Sequence, residues 1–89
     1  MTGVKGRVAL VTGAGRGIGR VTAGLLASRS AKVMAVSRSE NELQTLGLDY
    51  VAADLGTLDG CVHAVEETQD RLGPVEILEI GRASCRERV

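Results

Sequence analysis

The sequence predicts an α/β fold, a doubly wound parallel sheet with strand order 3-2-1-4 that is cut short after its fourth strand. Three observations carry this. Short apolar runs alternate with segments of helical period, in the order strand, helix, strand, helix, strand, helix, strand. The runs are continuously apolar, as in strands buried on both faces. A glycine-rich turn joins the first strand to the first helix.

Val8-Ala9-Leu10-Val11, ended by Thr12-Gly13, is the first strand, expected over 7–12. From Gly17, the residues Ile18, Val21, Thr22, Leu25 and Leu26 recur at helical spacing through about Arg29. Ala23, Gly24 and Ala27 are small enough for close packing. Gly24 costs about 1 kcal/mol relative to Ala inside a helix, which implies a packing reason for it. Lys32 to Ser37 holds the second strand, Val33-Met34-Ala35-Val36. Ser37 or Ser39 can cap a short helix through about Leu46. Tyr50-Val51-Ala52-Ala53 is the third strand, closed by Asp54. Thr57 offers the next N-cap, and Asp59 lies in the first turn, where the helix dipole favours an anion. Leu58, Val62, Val65, Gln69 and Leu72 follow at helical spacing, and Gly73-Pro74 stops the helix. The fourth strand is expected over 75–78. Right-handed crossovers place the first two helices on one face and the third on the other.

The chain has 89 residues, 11 Lys and Arg against 11 Asp and Glu, and 44% apolar residues. That composition suits a single globular domain. The zero formal charge and the single aromatic residue, Tyr50, argue against nucleic acid as a partner. No apolar run approaches the roughly 18 residues of a transmembrane helix. The polar start, Met1 to Arg7, lacks a signal-peptide layout. Cys61 and Cys85 have no metal or redox spacing, and no metal site is expected. A cytoplasmic setting follows as the default.

The turn Thr12-Gly13-Ala14-Gly15-Arg16-Gly17-Ile18-Gly19 carries the chemistry. Backbone N–H groups at a helix N-terminus, backed by the helix dipole, suit a pyrophosphate. Gly13 allows the tight turn, Gly17 lets the backbone approach a phosphate, and Gly19 lets the helix lie close to the sheet. A P-loop is excluded because no Lys follows the glycines. The G-x-G-x-x-G pattern fails because Ile18 stands at its third glycine. Gly15-x-Gly17-x-Gly19 leaves an adenosylmethionine site open as a second class, although that class also wants an acid after the second strand.

The second strand instead ends Val36-Ser37-Arg38, with no carboxylate at its tip. An Asp there would bond a ribose 2′-hydroxyl and repel a 2′-phosphate; a neutral Ser and a cation reverse the preference. Arg38 can bond the 2′-phosphate or stack on adenine, and Arg16 can reach the same phosphate from the glycine loop. The plain reading of either Arg is a solvated charge. Glu40 reads as a first-turn helix charge. Asp54, at the end of the third strand, can accept from an adenine amino group or serve only as a helix-entry acid. Cys61 and His63 read as packing and surface residues.

Thr12-Gly13-x-x-x-Gly17-Ile18-Gly19 resembles the cofactor motif of the short-chain dehydrogenase/reductase family. Asp54-Leu55 is similar to its adenine-contacting acid, and Gly73-Pro74-Val75-Glu76-Ile77-Leu78 to the lead-in of its fourth strand; the resemblance covers residues 6 to 78. It implies a Rossmann-type fold and a cofactor-binding set of Thr12, Gly13, Arg16, Gly17, Ile18, Gly19, Ser37, Arg38, Asp54 and Leu55. Ala35-Val36-Ser37-Arg38 and Asp54-Leu55-Gly56 most resemble the L-xylulose (dicarbonyl) reductase group. That group implies NADP(H), a small-molecule carbonyl substrate and a homotetrameric parent enzyme. A 3-oxoacyl-thioester reductase and a non-enzymatic NADPH-binding module are the alternatives.

Two departures stand out. After the first helix the family has Gly, where this chain has Ser30; a left-handed Ser costs about 1 kcal/mol. After Leu78 the family continues Val-Asn-Asn-Ala and later supplies a catalytic Ser and a Tyr-x-x-x-Lys, none of which is in this chain. No catalytic residue is therefore expected here, and the fragment alone should be inactive. Residues 1–78 read as a truncated NADP-binding domain. Residues 79–89, charged and Arg-rich, resemble a translated sequencing adapter and read as a non-native tail.

Overall fold

β1 (Val8–Thr12) is buried along its whole length, which is why Val8 to Val11 can be apolar on both sides. It lies between β2 (Lys32–Ser37) and β4 (Ile77–Glu79), and β3 (Asp49–Ala52) lies outside β2. The order is β3-β2-β1-β4 and every pairing is parallel, as the sequence predicts. The computed structural model describes residues 3–79.

Alternate residues of the strands serve two cores. Ala9, Val11, Val33 and Ala35 meet Ala23 and Leu26 of α1 (Gly17–Ser28) and Leu43 of α2 (Glu40–Gln44). Leu10, Met34, Val36 and Val51 meet Ala64 of α3 (Leu58–Arg71) on the opposite side. The two-faced arrangement predicted from crossover handedness is therefore present. Met34 is wholly buried and is the largest side chain so placed.

The helices rest on the sheet through small residues, as the sequence suggests for Ala23 in α1. α1 meets the sheet through Ala23 and Leu26, whereas Ile18, Val21 and Leu25 point outward. α3 does the same with Ala64 and Thr68, leaving Leu58, Val62 and Val65 exposed. Small residues let each helix approach the sheet closely, so the bulky stripe is turned away. Gly24 lies on the outward side of α1 with no atom within 4 Å of where its Cβ would stand, so the expected packing reason for it is not found.

Element ends shift slightly. α2 stops at Gln44 because Thr45 turns its hydroxyl back to the Glu42 carbonyl, 2.8 Å away, and Gly47 follows at φ +74°. β4 begins two residues later than predicted. The Glu76 carboxylate accepts from the Val8 N–H at 3.1 Å and so takes a place at the start of the ladder. Ser30 holds the left-handed conformation, φ 68°, that its position after α1 requires. Glu79 pairs with Val11 in β4, while residues 80–89, with Arg82, Cys85, Arg86 and Arg88 of the expected tail, lie outside the described residues.

Candidate cofactor site

The site lies at the C-terminal ends of β1 and β2, where parallel α/β sheets place their ligands. β1 ends at Thr12, which is buried and whose hydroxyl donates to the Glu79 carbonyl at 3.4 Å. The chain then turns through Gly13-Ala14-Gly15-Arg16 into α1. Ala14 is buried and its N–H donates to the Val36 carbonyl at 3.0 Å, which ties the turn to the tip of β2.

The start of α1 is left open. Its N-cap is Arg16, whose side chain makes no capping hydrogen bond, and no acid lies in the first turn. Gly17 has φ +67°, and nothing lies within 4 Å of where its Cβ would be. A Cβ on Gly19 would collide with the Gly13 carbonyl, so the helix can approach the turn this closely only with glycine there. The uncapped first turn faces open space, and this fits a dinucleotide pyrophosphate. Ile18, 80% exposed, borders that space.

Three of the predicted polar residues gather beside this opening. Ser37 ends β2, and its hydroxyl accepts from the Ser39 N–H at 3.2 Å. Ser39 is the N-cap of α2 by position, yet its own side chain makes no capping bond. Arg38 is exposed and makes no hydrogen bond or ion pair among the described residues. Arg16 is 86% exposed and pairs with Glu42 at 3.6 Å.

Asp54 and Leu55 follow β3. One Asp54 carboxylate oxygen accepts from the Gly56 N–H at 2.9 Å, and its backbone carbonyl accepts from the Thr57 hydroxyl at 3.0 Å. Asp54 thus builds the entry to α3 while its side chain stays at the surface. Leu55 is half-buried and packs against the core formed by Leu10, Met34 and Val36. Cys61 donates its thiol to the Leu55 carbonyl at 3.3 Å, a packing role as expected, and His63 is on the surface. Among the described residues no group of His, Cys, Asp and Glu could hold a metal ion. No helix there is long and apolar enough to cross a membrane.

Two residues escape the sequence reading. Arg20 donates to the Gly15 carbonyl at 3.3 Å, to the Glu42 carbonyl at 3.1 Å and to the Thr45 hydroxyl at 2.8 Å. It clamps α2 onto the glycine turn. Glu42 is thereby held over Gly15, where a Cβ would stand 2.5 Å from its carboxylate and 3.0 Å from the Ser37 hydroxyl. Their place on adjacent helices offered the main hint, since every one of these contacts except Arg20 to Gly15, five residues apart, spans 20 or more residues.

A family model described as short chain dehydrogenase matches residues 7–87. L-xylulose reductase of Mus musculus is 42% identical over 81 residues, which cover 85% of this chain and 32% of the relative. The 3-oxoacyl-(acyl-carrier-protein) reductase of Escherichia coli is 52% identical over 81 residues, covering 83% and 33%. The chain therefore spans about a third of the length of these relatives. The crystal structure of 3-ketoacyl-(acyl-carrier-protein) reductase from Brucella melitensis complexed with NADH superposes with a TM-score of 0.81 at 34% identity, covering 84% of this chain and 33% of that one. The actinorhodin polyketide ketoreductase structure with NADPH gives 0.80 at 30%, covering 84% and 32%. The family match over nearly the whole chain, the shared sheet order and the open glycine turn lead to one assignment: this chain belongs to the short-chain dehydrogenase/reductase family, a family of nicotinamide-nucleotide oxidoreductases.

Proposed function

We propose that the chain is the cofactor-binding N-terminal part of an NADPH-dependent carbonyl reductase of the L-xylulose or α-dicarbonyl type. The observation that carries this reading is the polar set around the open start of α1. Ser37 and Arg38 stand at the tip of β2 with no carboxylate on the strand itself, and Arg16 lies in the glycine turn, paired with Glu42. A 2′-phosphate presented there meets two guanidinium groups, which recognise phosphate oxygens in pairs. The uncapped first turn of α1 receives the pyrophosphate. In this reading Asp54, exposed at the end of β3, would accept from an adenine amino group, and Leu55 would flank the same ring.

The bound nicotinamide supplies a hydride for a ketone carbon. The residues of this chain bind and orient the nucleotide; the family's catalytic Ser, Tyr and Lys are not among them. The 89-residue chain by itself should therefore turn over no substrate, and the parent is proposed to be a cytoplasmic homotetramer. Residues 1–78 form the native cofactor domain in this reading, and 79–89 the non-native tail.

A second reading, a 3-oxoacyl-thioester reductase, is favoured by the 52% identity to the Escherichia coli relative. Steady-state oxidation of NADPH by the full-length protein separates the two. The proposal expects kcat/KM for a ketose or α-dicarbonyl to exceed that for a 3-oxoacyl thioester. The reverse order would transfer the assignment to the second reading.

A further inference from the structure

The tip of β2 carries no acid, yet a carboxylate reaches the same place from the next helix. Glu42 is in the first turn of α2, and its side chain is 34% exposed. Its carboxylate and the Ser37 hydroxyl flank the same point above Gly15. The other carboxylate oxygen pairs with Arg16. The backbone beneath it is fixed, because Arg20 bonds the carbonyls of both Gly15 and Glu42. The carboxylate thus lies beside the glycine turn on a backbone fixed by contacts that do not depend on its own charge.

We propose that Glu42 is a cofactor-discriminating residue. In the free protein its carboxylate occupies the 2′ subsite beside Ser37 and neutralises Arg16. A ribose 2′-hydroxyl can donate to that carboxylate and leave it in place. A 2′-phosphate is an anion and must displace it, taking over Arg16 and leaving Glu42 to turn to solvent. The Arg16–Glu42 pair is long and exposed, and such pairs contribute little, so the exchange is permitted. Repulsion between the displaced carboxylate and the phosphate still narrows the preference for the phosphorylated dinucleotide. Glu42 therefore does, from a helix, part of what an Asp at the strand tip does in an enzyme that uses NADH.

The inference rests on the reading of Ser37 and Arg38 as the 2′-phosphate subsite, and the test separates the two. NADPH and NADH are titrated into the full-length protein, its Glu42→Gln variant and its Arg38→Ala variant, with binding followed by the fluorescence of the reduced nicotinamide. Far-UV circular dichroism and the thermal transition report on folding in each variant, and Arg20 keeps its bond to the backbone carbonyl of residue 42. Glu42→Gln is expected to raise the NADPH-to-NADH affinity ratio by about three- to tenfold, the scale of one removed charge near a partly solvated phosphate. Adding salt should shrink that gain, since it screens the repulsion. An unchanged or lowered ratio in Glu42→Gln, with Arg38→Ala lowering it, overturns the role of Glu42 alone. A raised ratio in Glu42→Gln with no effect of Arg38→Ala supports Glu42 and overturns the role given to Arg38. No change in either overturns both. If Glu42→Gln loses its cooperative thermal transition, Glu42→Ala replaces it with the same expected direction, and loss of the transition there too assigns Glu42 a structural role and overturns the inference.

Discussion

The turns before α1 and α3 lie at the same end of the sheet and use the same close approach. The third residue of each helix is glycine, Gly19 in one and Gly60 in the other. A Cβ on Gly19 would collide with the Gly13 carbonyl, and one on Gly60 with the Asp54 carbonyl. The two turns part at the N-cap. Thr57 accepts from the Gly60 N–H at 3.0 Å, Asp59 adds a negative charge in the first turn, and the start of α3 is satisfied by its own side chains. Arg16 provides no such bond, and α1 has no first-turn acid. One helix start is finished internally; the other has neither a side-chain cap nor a first-turn acid. A shared backbone geometry therefore says where a phosphate could bind, and the cap residue decides whether the protein fills that place itself.

Adding a methyl group at the two glycines tests the shared part and the difference together. Gly19→Ala and Gly60→Ala should each destabilise the full-length protein by about 1–3 kcal/mol, since a backbone carbonyl must move. Only Gly19→Ala should also weaken dinucleotide binding, by about tenfold or more once the first turn is displaced. Urea denaturation and nucleotide titration measure the two effects. Equal loss of affinity in both variants would remove the distinction between the turns.

Exchanging the caps is a milder perturbation. Thr57→Ala should cost about 1 kcal/mol of stability with little change in nucleotide affinity. Arg16→Ser should do the opposite, adding about 0.5–1 kcal/mol through a new cap while weakening binding more than Arg16→Ala does. The Ser hydroxyl then competes with phosphate for the N–H groups that Ala leaves open. Arg16→Ser and Arg16→Ala binding alike would mean that those N–H groups are not part of the site.

The far ends of the same helices give the smallest effect. After α3 the chain turns left-handed at Gly73, φ 117°, and after α1 at Ser30, φ 68°. Ser30→Gly should stabilise by up to about 1 kcal/mol, and Gly73→Ala should destabilise by at least as much. Thermal unfolding of both variants reads this directly, and a lower Tm for Ser30→Gly would contradict it.

Much of this could be read from residues in sequence order, because it depends on local pattern. Val8 to Val11 and Val33 to Val36 are continuously apolar because both faces of the sheet are covered, and the glycine turn is contiguous. The orientation of α1 is legible only in part, through the small Ala23, and that of α3 is not. A search for bulky apolar stripes selects Ile18, Val21 and Leu25, whereas close approach to a sheet selects Ala23 beside them. The start of β4 depends on the Glu76 carboxylate reaching the Val8 N–H across 68 residues. Glu42 was hidden for the same reason. Its place over Gly15 depends on Arg20 joining α2 to the glycine turn, and no periodicity within either helix records that bond.

The central claim is that the tip of β2 reads a 2′-phosphate next to the open start of α1. The most direct measurement is the ratio of NADPH to NADH affinity in the full-length protein, in Arg38→Ala and in Ser37→Asp. A charge-assisted hydrogen bond contributes roughly 1.5–3 kcal/mol, so Arg38→Ala should weaken NADPH about ten- to a hundredfold and NADH far less. Ser37→Asp should invert the preference toward NADH by repelling the phosphate and bonding the ribose hydroxyls. A ratio unchanged in both variants would show that Ser37 and Arg38 do not read the phosphate, and the assignment of NADPH would fall.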